Sequence, residues 1–342
     1  MRPPSLPSAW GGDVLSACFR ACPEDFRVEE LPGFEPTGSG EHLVLEVCKT
    51  GQNTVWVAQA LARWAGISER GVGYAGLKDR HAVTVQRFSL HLPRRTAPDI
   101  GTLDLPGVQV LDARWHHRKL PRGALAGNRF LIRLRDVRGD PEAIGERLRA
   151  VASAGVPNAF GAQRFGRDGG NLDRALAMFA GARVKRQERS ILLSAARSAI
   201  FNAVLARRIA CGDWNTGGEG EVWMLDGSHS IFGPQAVDDA LRARVVALDV
   251  HPTGPLWGRG ALRTTGAVAG LESEVAADWQ ALADGLEHAG LNQERRALRV
   301  RVDGLSWRFE NGDELELAFT LPAGSYATAV LQALGAVEEA GR

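Results

Sequence analysis

The closing strands of this chain have no core of their own. Leu298, Val300 and Val302 alternate with Arg299 and Arg301. SWRFE (306–310) and ELELAFTL (314–321) then flank Asn311-Gly312-Asp313, the signature of a type I′ hairpin turn. A last helix is expected from Ser325. These closing residues number roughly 45, too few to bury an independent core. They must complete a sheet begun elsewhere, and the N-terminal part supplies the partners. There, 26–30 and 43–48 read as strands, as do stretches near 83–92, 107–115 and 128–137. One helix, TVWVAQALARW (54–64), follows a cap at Asn53 or Thr54.

The middle of the chain has a different pattern. Asp140-Pro141 sets an N-cap and a first-turn proline for a helix to about residue 154. Asn171 is placed to cap a helix ending at Gly181, and Ser190 to open another that runs to Gly212. Further helices are expected near 236–248 and 271–290. The pattern predicts an α+β protein whose strand-rich domain is discontinuous, formed by residues 1–154 and 298–342. A mainly helical insertion, residues 155–297, interrupts it.

One motif points away from this reading. Gly71, Gly73 and Gly76 form a literal G-x-G-x-x-G, the spacing of a dinucleotide-binding turn. That turn must follow a strand, open a helix, and be answered about 20 residues later by an acid on a ribose. Here a helix precedes and AVTVQRFSLHL (82–92), a strand, follows, while residues 94–96 are Arg-Arg-Thr. The nicotinamide reading fails on its flanks. The glycines are expected instead to permit a tight loop around Lys78-Asp79-Arg80.

With 44% hydrophobic and 24% charged residues, the 342-residue chain is that of a soluble globular protein. Only Lys49, Lys78, Lys119 and Lys185 are lysines among its 41 basic residues. Arginine suits phosphate and base stacking, although a GC-rich genome gives the same bias. Net charge is only +1, so any nucleic-acid surface must be local. Residues 114–138 supply it: Arg114, Arg118, Lys119, Arg122, Arg129, Arg133, Arg135 and Arg138 stand against one acid, Asp136. Cys18, Cys22, Cys48 and Cys211 lack zinc-site spacing, and no metal is expected. MRPPSLPSAWGG has no apolar targeting segment, and no stretch reaches about 18 apolar residues. A cytoplasmic protein is expected, with no membrane contact and no evident obligate protein partner.

Six segments, in order, carry a resemblance: PEDFRVEE (23–30), AGLKDRHAVTVQ (75–86), KLPRGALAGNRF (119–130), VPNAFGAQRFG (156–166), LLSAARSAIFN (192–202) and LPAGSYATAV (321–330). Through them the chain resembles, nearly end to end, the TruD family of transfer-RNA pseudouridine synthases. The resemblance implies a pseudouridine-synthase catalytic fold with a mixed, largely antiparallel sheet and a family-specific insertion domain. It implies uridine at position 13 of certain transfer RNAs as substrate, with transfer RNA as the partner and no cofactor.

The family's catalytic aspartate falls on Asp79, its base-contacting phenylalanine on Phe26, and its G-N-x-F residues on Asn128 and Phe130. Its second sandwiching phenylalanine meets Tyr326, which keeps the stacking face and adds a hydroxyl. Arg20 stands where a lysine is common.

Pseudouridine formation breaks the C1′–N1 bond, turns the uracil and joins C5 to C1′. It needs an ionised carboxylate acting as nucleophile at C1′ or as base at C2′. Lys78, Arg80 or Arg20 are the cations available to it. A lone Lys-Asp-Arg triplet is usually a solvated turn, and a strand phenylalanine is usually core; the framing motifs reverse both priors. Asn128 offers donor and acceptor to a uracil edge. Asn158, Gln163 and Arg164 are placed either to touch RNA or to hold a hinge. An RNA-binding relative without catalysis is the alternative, and an intact Asp79 argues against it.

Overall fold

Alternating side chains give the expected strands, and the computed structural model adds several shorter ones. It describes residues 1–235 and 237–340. The chain begins β1 (Leu15–Phe19), β2 (Phe26–Pro32), β3 (His42–Thr50), α1 (Thr54–Trp64), β4 (Val72–Tyr74), β5 (Val83–His91), β6 (Val108–His116), β7 (Leu125–Arg138) and α2 (Pro141–Ala154). It continues through β8 (Val156–Pro157), α3 (Gly170–Phe179), α4 (Arg186–Cys211), β9 (Trp223–Leu225), β10 (Ile231–Phe232), α5 (Asp239–Val246) and β11 (Val250–Leu256). The remaining elements are α6 (Gly266–Asp278), α7 (Gln280–His288), β12 (Glu294–Ala297), β13 (Arg299–Val300), β14 (Asp303–Glu310), β15 (Glu314–Pro322), α8 (Ala327–Leu334) and β16 (Gly335–Glu339).

These elements fall into two compact units. The strand unit comprises Val14–Pro141, Val302–Ser325 and the chain from Ala336 onwards. Its sheet runs β14-β15-β7-β2-β5-β3-β6, with β1 beside β7, β16 beside β1, and β4 beside β5. Along that path β2 and β5 run parallel, and the other neighbours are antiparallel. The closing hairpin completes the sheet as its length demands, β15 pairing with β7 from Leu315 opposite Leu134 to Pro322 opposite Gly127. Its turn places Asn311 at φ +50° and Gly312 at φ +83°, both left-handed as a type I′ turn requires. Glu310 pairs with Glu314, however, so Asp313 is a third residue in the connection. On one sheet face α1 packs Val57, Ala58 and Leu61 against Leu43, Leu45, Val47, Phe88 and Leu90.

The helical unit comprises Met1–Asp13, Glu142–Arg301 and Tyr326–Gly335. Its centre is α4, whose Leu192, Ala195, Ala196, Ala199 and Ile200 pack with Leu172 and Ala175 of α3 and Leu282 and Leu286 of α7. A four-stranded sheet, β10-β9-β11-β12, lies in the same unit. Two buried ion pairs, Arg208–Glu221 and Arg295–Glu272, hold it at 2.6 and 2.7 Å. Removing one partner of such a pair strands a buried charge, so each is costly to break.

Several element boundaries move from their expected places. Gly169, at φ +79°, caps α3 in place of Asn171, whose amide donates to the Arg164 carbonyl. α4 starts at Arg186 rather than Ser190, and ends on left-handed Gly212 as expected. The helix expected near 271–290 is two, broken at Trp279. That near 236–248 is α5, residue 236 lying outside the described residues.

Candidate active site

The parallel pairing of β2 with β5 sets where the site forms. Parallel neighbours enter the sheet at the same edge, with Arg27 opposite Val83 and Val28 opposite Thr84. The segments leading into both strands therefore meet, and they carry Arg20 and Asp79. The β3 strand leaves at that same edge, with Lys49 opposite Thr84.

Asp79 is exposed, and its Oδ2 accepts a hydrogen bond from Arg20 Nη2 at 2.8 Å. Arg20 Nη1 donates to Glu339 at 2.9 Å, so the guanidinium bridges two carboxylates. Arg20 lies at φ +60°, a conformation that costs a non-glycine residue free energy and clusters at functional positions. The other two candidate cations turn elsewhere. Lys78 Nζ meets Glu30 at 3.0 Å, with both side chains nearly buried, and Arg80 Nε donates to the Gly51 carbonyl.

The loop's backbone is fixed from below. Thr54 Oγ1 accepts from Lys78 N at 3.0 Å and donates to Gln86 Oε1 at 2.9 Å. Gln86 Nε2 donates to the Gly76 carbonyl. Asn53 occupies the cap position of α1 without a side-chain cap bond, because it is Thr54 that turns into this network. Lys49 Nζ donates to the carbonyls of Gln52 and Asp79 at 2.8 and 2.9 Å.

None of Gly71, Gly73 and Gly76 has a positive φ. Gly73 is required by close packing instead: a Cβ there would lie 2.5 Å from the Leu120 carbonyl oxygen and 2.7 Å from Ser89 Oγ. The stretch supplies the end of a 3-10 turn and strand β4, so the glycines do not shape the tight loop around Asp79 through left-handed backbone.

The structure buries two of the expected base-contacting residues. Phe26 and Phe130 are 3% and 5% exposed. Phe26 stacks with Phe130, and Phe130 with Phe319, at ring-centroid distances of 6.1 and 5.4 Å. The guanidinium of Arg20 lies over the Phe26 ring at 4.2 Å. This aromatic column seats the cation that pairs with Asp79. Asn128 stands opposite Glu30 on β7, and its Oδ1 is buried without a hydrogen-bond partner among the described residues. An unpartnered buried amide oxygen is an acceptor in want of a donor.

Tyr326 belongs to the helical unit and is 37% exposed. Its hydroxyl accepts a hydrogen bond from Arg164 Nη2 at 3.2 Å, and Arg164 Nη1 donates to Ser194 Oγ at 3.1 Å. Arg296 lies over Phe160 at 4.3 Å and bonds Asn158 Oδ1. Burial pushes the Arg296 guanidinium down to about 10. Asn158 is thus a buried structural residue, its Nδ2 donating to the Ala297 carbonyl.

The basic stretch divides. Arg133 and Arg135 lie among Glu310, Glu314, Glu316 and Asp25, and Arg114 pairs with Asp112. Arg118, Lys119 and Arg122 meet a histidine, a carbonyl and the Tyr74 ring, with no carboxylate partner among the described residues. No group of three or more His, Cys, Asp or Glu among the described residues is arranged to hold a metal. No helix among them is long and apolar enough to cross a membrane.

Patterning passed over Lys49 and the Arg164–Tyr326 contact. A signal for Lys49 existed: it continues the inward series Leu43, Leu45, Val47 of β3, where a lysine is out of place. Nothing local links Arg164 to Tyr326.

The family described as "tRNA pseudouridine synthase D (TruD)" matches residues 10–173 and 167–334. Over 98% of this chain and 96% of its own length, a tRNA pseudouridine synthase D of Xanthomonas oryzae pv. oryzae is 56% identical. One from Methylococcus capsulatus is 48% identical over 96% of this chain and 94% of its own. The crystal structure of a putative tRNA pseudouridine synthase D from Methanosarcina mazei superimposes with a TM-score of 0.71 at 22% identity. It covers 98% of this chain and 95% of that one. This last likeness is one of fold.

Proposed function

The chain belongs to the TruD family, and from that premise we propose that Asp79 acts as the carboxylate by which it isomerises uridine to pseudouridine in transfer RNA. The observation that carries the assignment is an exposed carboxylate fixed at one sheet edge by a guanidinium and by its own backbone. The reaction breaks C1′–N1 and forms C5–C1′; C5 gives up its proton and N1 takes one up, so no net proton is lost. Asp79 attacks C1′ or removes a proton at C2′; both roles need a short, rigidly held carboxylate beside the sugar.

The remaining residues support that chemistry. The free Asn128 acceptor suits the N–H of a uracil edge. Tyr326, exposed and tied by Arg164, offers an aromatic face to an extruded base; such stacking returns about 1–3 kcal/mol per base. Phe26, beneath the Arg20 guanidinium, and Phe130, stacked on Phe26, serve the site by seating the cation that orients Asp79. Catalysis belongs to the strand unit in this reading. The helical unit, which contains the expected insertion 155–297, extends the hold on RNA. The expected target is uridine 13 of the transfer RNA.

The test is Asp79→Asn on transfer RNA carrying tritium at C5 of uridine. The wild-type protein should release tritium as pseudouridine forms, whereas the variant should bind transfer RNA and release none. Release by Asp79→Asn at the wild-type rate would remove Asp79 from the reaction. No release by the wild-type protein would leave an RNA-binding relative without catalysis.

A further inference from the structure

Lys49 is among the largest fully buried side chains of the described protein, at 0% exposure. Lysine is almost never so placed unless paired, because burial strips the ammonium of water. Yet the bonds of Lys49 go to two backbone carbonyls, Gln52 at 2.8 Å and Asp79 at 2.9 Å. Neutral donors would satisfy those carbonyls. A methionine would fill much the same space without a buried charge.

The charge has one attractive partner of consequence. Asp79 attracts the ammonium, Lys78 repels it, and Cys48 on its own strand adds a smaller attraction. Lys78 is itself engaged by Glu30, and Arg80 donates to Gly51 in the turn that Lys49 closes. Arg20 approaches the same carboxylate through the Asp79 side chain. Asp79 is therefore held twice, its carboxylate by Arg20 and its carbonyl by Lys49. The second hold lies inside the protein, away from the substrate.

We infer that Lys49 is a positioning residue for the proposed reaction: its buried ammonium anchors the Asp79 backbone and must be charged for full turnover. The inference rests on the reading of Asp79 given above. Burial pushes the Lys49 ammonium down to about 8, the attraction of Asp79 opposing this shift. The charge is thus lost within the range where turnover can be measured. Lys49 has no exposed surface with which to touch RNA, so its loss should act on kcat and leave binding intact.

The experiment compares single-turnover rates of the wild-type protein and Lys49→Met from pH 6.5 to 9.5, with transfer RNA binding measured in parallel. The wild-type rate should fall above about pH 8, by up to tenfold per pH unit. Lys49→Met should be slower by about 10²-fold at pH 7, the cost of misplacing a reacting group by about 1 Å. It should lack the alkaline fall and bind transfer RNA with a Kd within about twofold of wild type. A level wild-type profile overturns the inference, even if Lys49→Met is slow, and so does a variant that keeps the alkaline fall or the wild-type rate. Should Lys49→Met lose cooperative melting, the wild-type profile decides alone. An inactive Asp79→Asn beside a fully active Lys49→Met would reject this inference and spare the Asp79 reading, whereas an active Asp79→Asn rejects that reading itself.

Discussion

Arg20 Nη2 lies 2.8 Å from Asp79 Oδ2, although 59 positions separate the two residues. The same guanidinium rests on the Phe26 ring, so one side chain links the aromatic column to the acting carboxylate. Arg20→Met should lower turnover on transfer RNA about 10²-fold, since the carboxylate loses its orienting partner. Arg20→Lys keeps a charge without the planar fork, and should fall between the two. Single-turnover rates decide; wild-type turnover by Arg20→Met would make the pair idle.

The hydroxyl of Tyr326 accepts a hydrogen bond from Arg164, so Tyr326→Phe should not be silent. A hydrogen bond to a charged group contributes about 1.5–3 kcal/mol, less where water competes, as at this exposed ring. Tyr326→Phe should lower kcat/KM severalfold and Tyr326→Ala much further, because only the second removes the aromatic face. Equal values for all three proteins would exclude the ring from substrate contact.

Arg118, Lys119 and Arg122 are the basic residues expected to meet phosphate, and Arg133 and Arg135 are not. Neutralising one of the first group should reduce the salt dependence of transfer RNA binding by roughly one unit of slope. Arg135→Met should leave the slope alone and lower the melting temperature, because it strands buried Asp25. A reversed pattern would move the binding surface to the arginines of β7.

Acid should weaken the strand unit through its histidines. His91, His42 and His116 stand abreast on β5, β3 and β6, and His42 stacks on His91 at 4.7 Å. Burial first, and neighbouring cations second, hold His42 and His116 below the ordinary 6.5. The unfolded chain therefore takes up protons before the folded one does. Stability from these groups is fully present above about pH 6.5 and is lost as the pH falls through their lower folded values. Melting temperature should drop between pH 7 and pH 5, and His42→Asn should shallow that drop. An unchanged pH dependence in the variant would place the acid sensitivity elsewhere.

Much of this protein was legible as pattern. The alternation of β2, β3, β5 and β7, the helix at 54–64, the Asn311-Gly312 turn and the need of the closing hairpin for a distant sheet are consequences of side-chain period and turn chemistry. These act over a few residues. The local motif also singled out the loop of Asp79, and its flanks excluded a nicotinamide site.

The partner of Asp79 was not legible in that way. Lys78, Arg80 and Arg20 were equal candidates along the chain, and the two adjacent to Asp79 are the two that turn away. Arg20 wins because β2 and β5 lie parallel, which brings their leading segments to one edge. Lys49 beneath the loop has the same origin, because β3 leaves the sheet at that edge. The reach of Arg164 to Tyr326 is instead decided within the helical unit. Periodicity decides which face of a strand is buried. Which strands become neighbours, and which charges then share one edge, depends on pairings between segments far apart in the chain, and the folded sheet alone decides those.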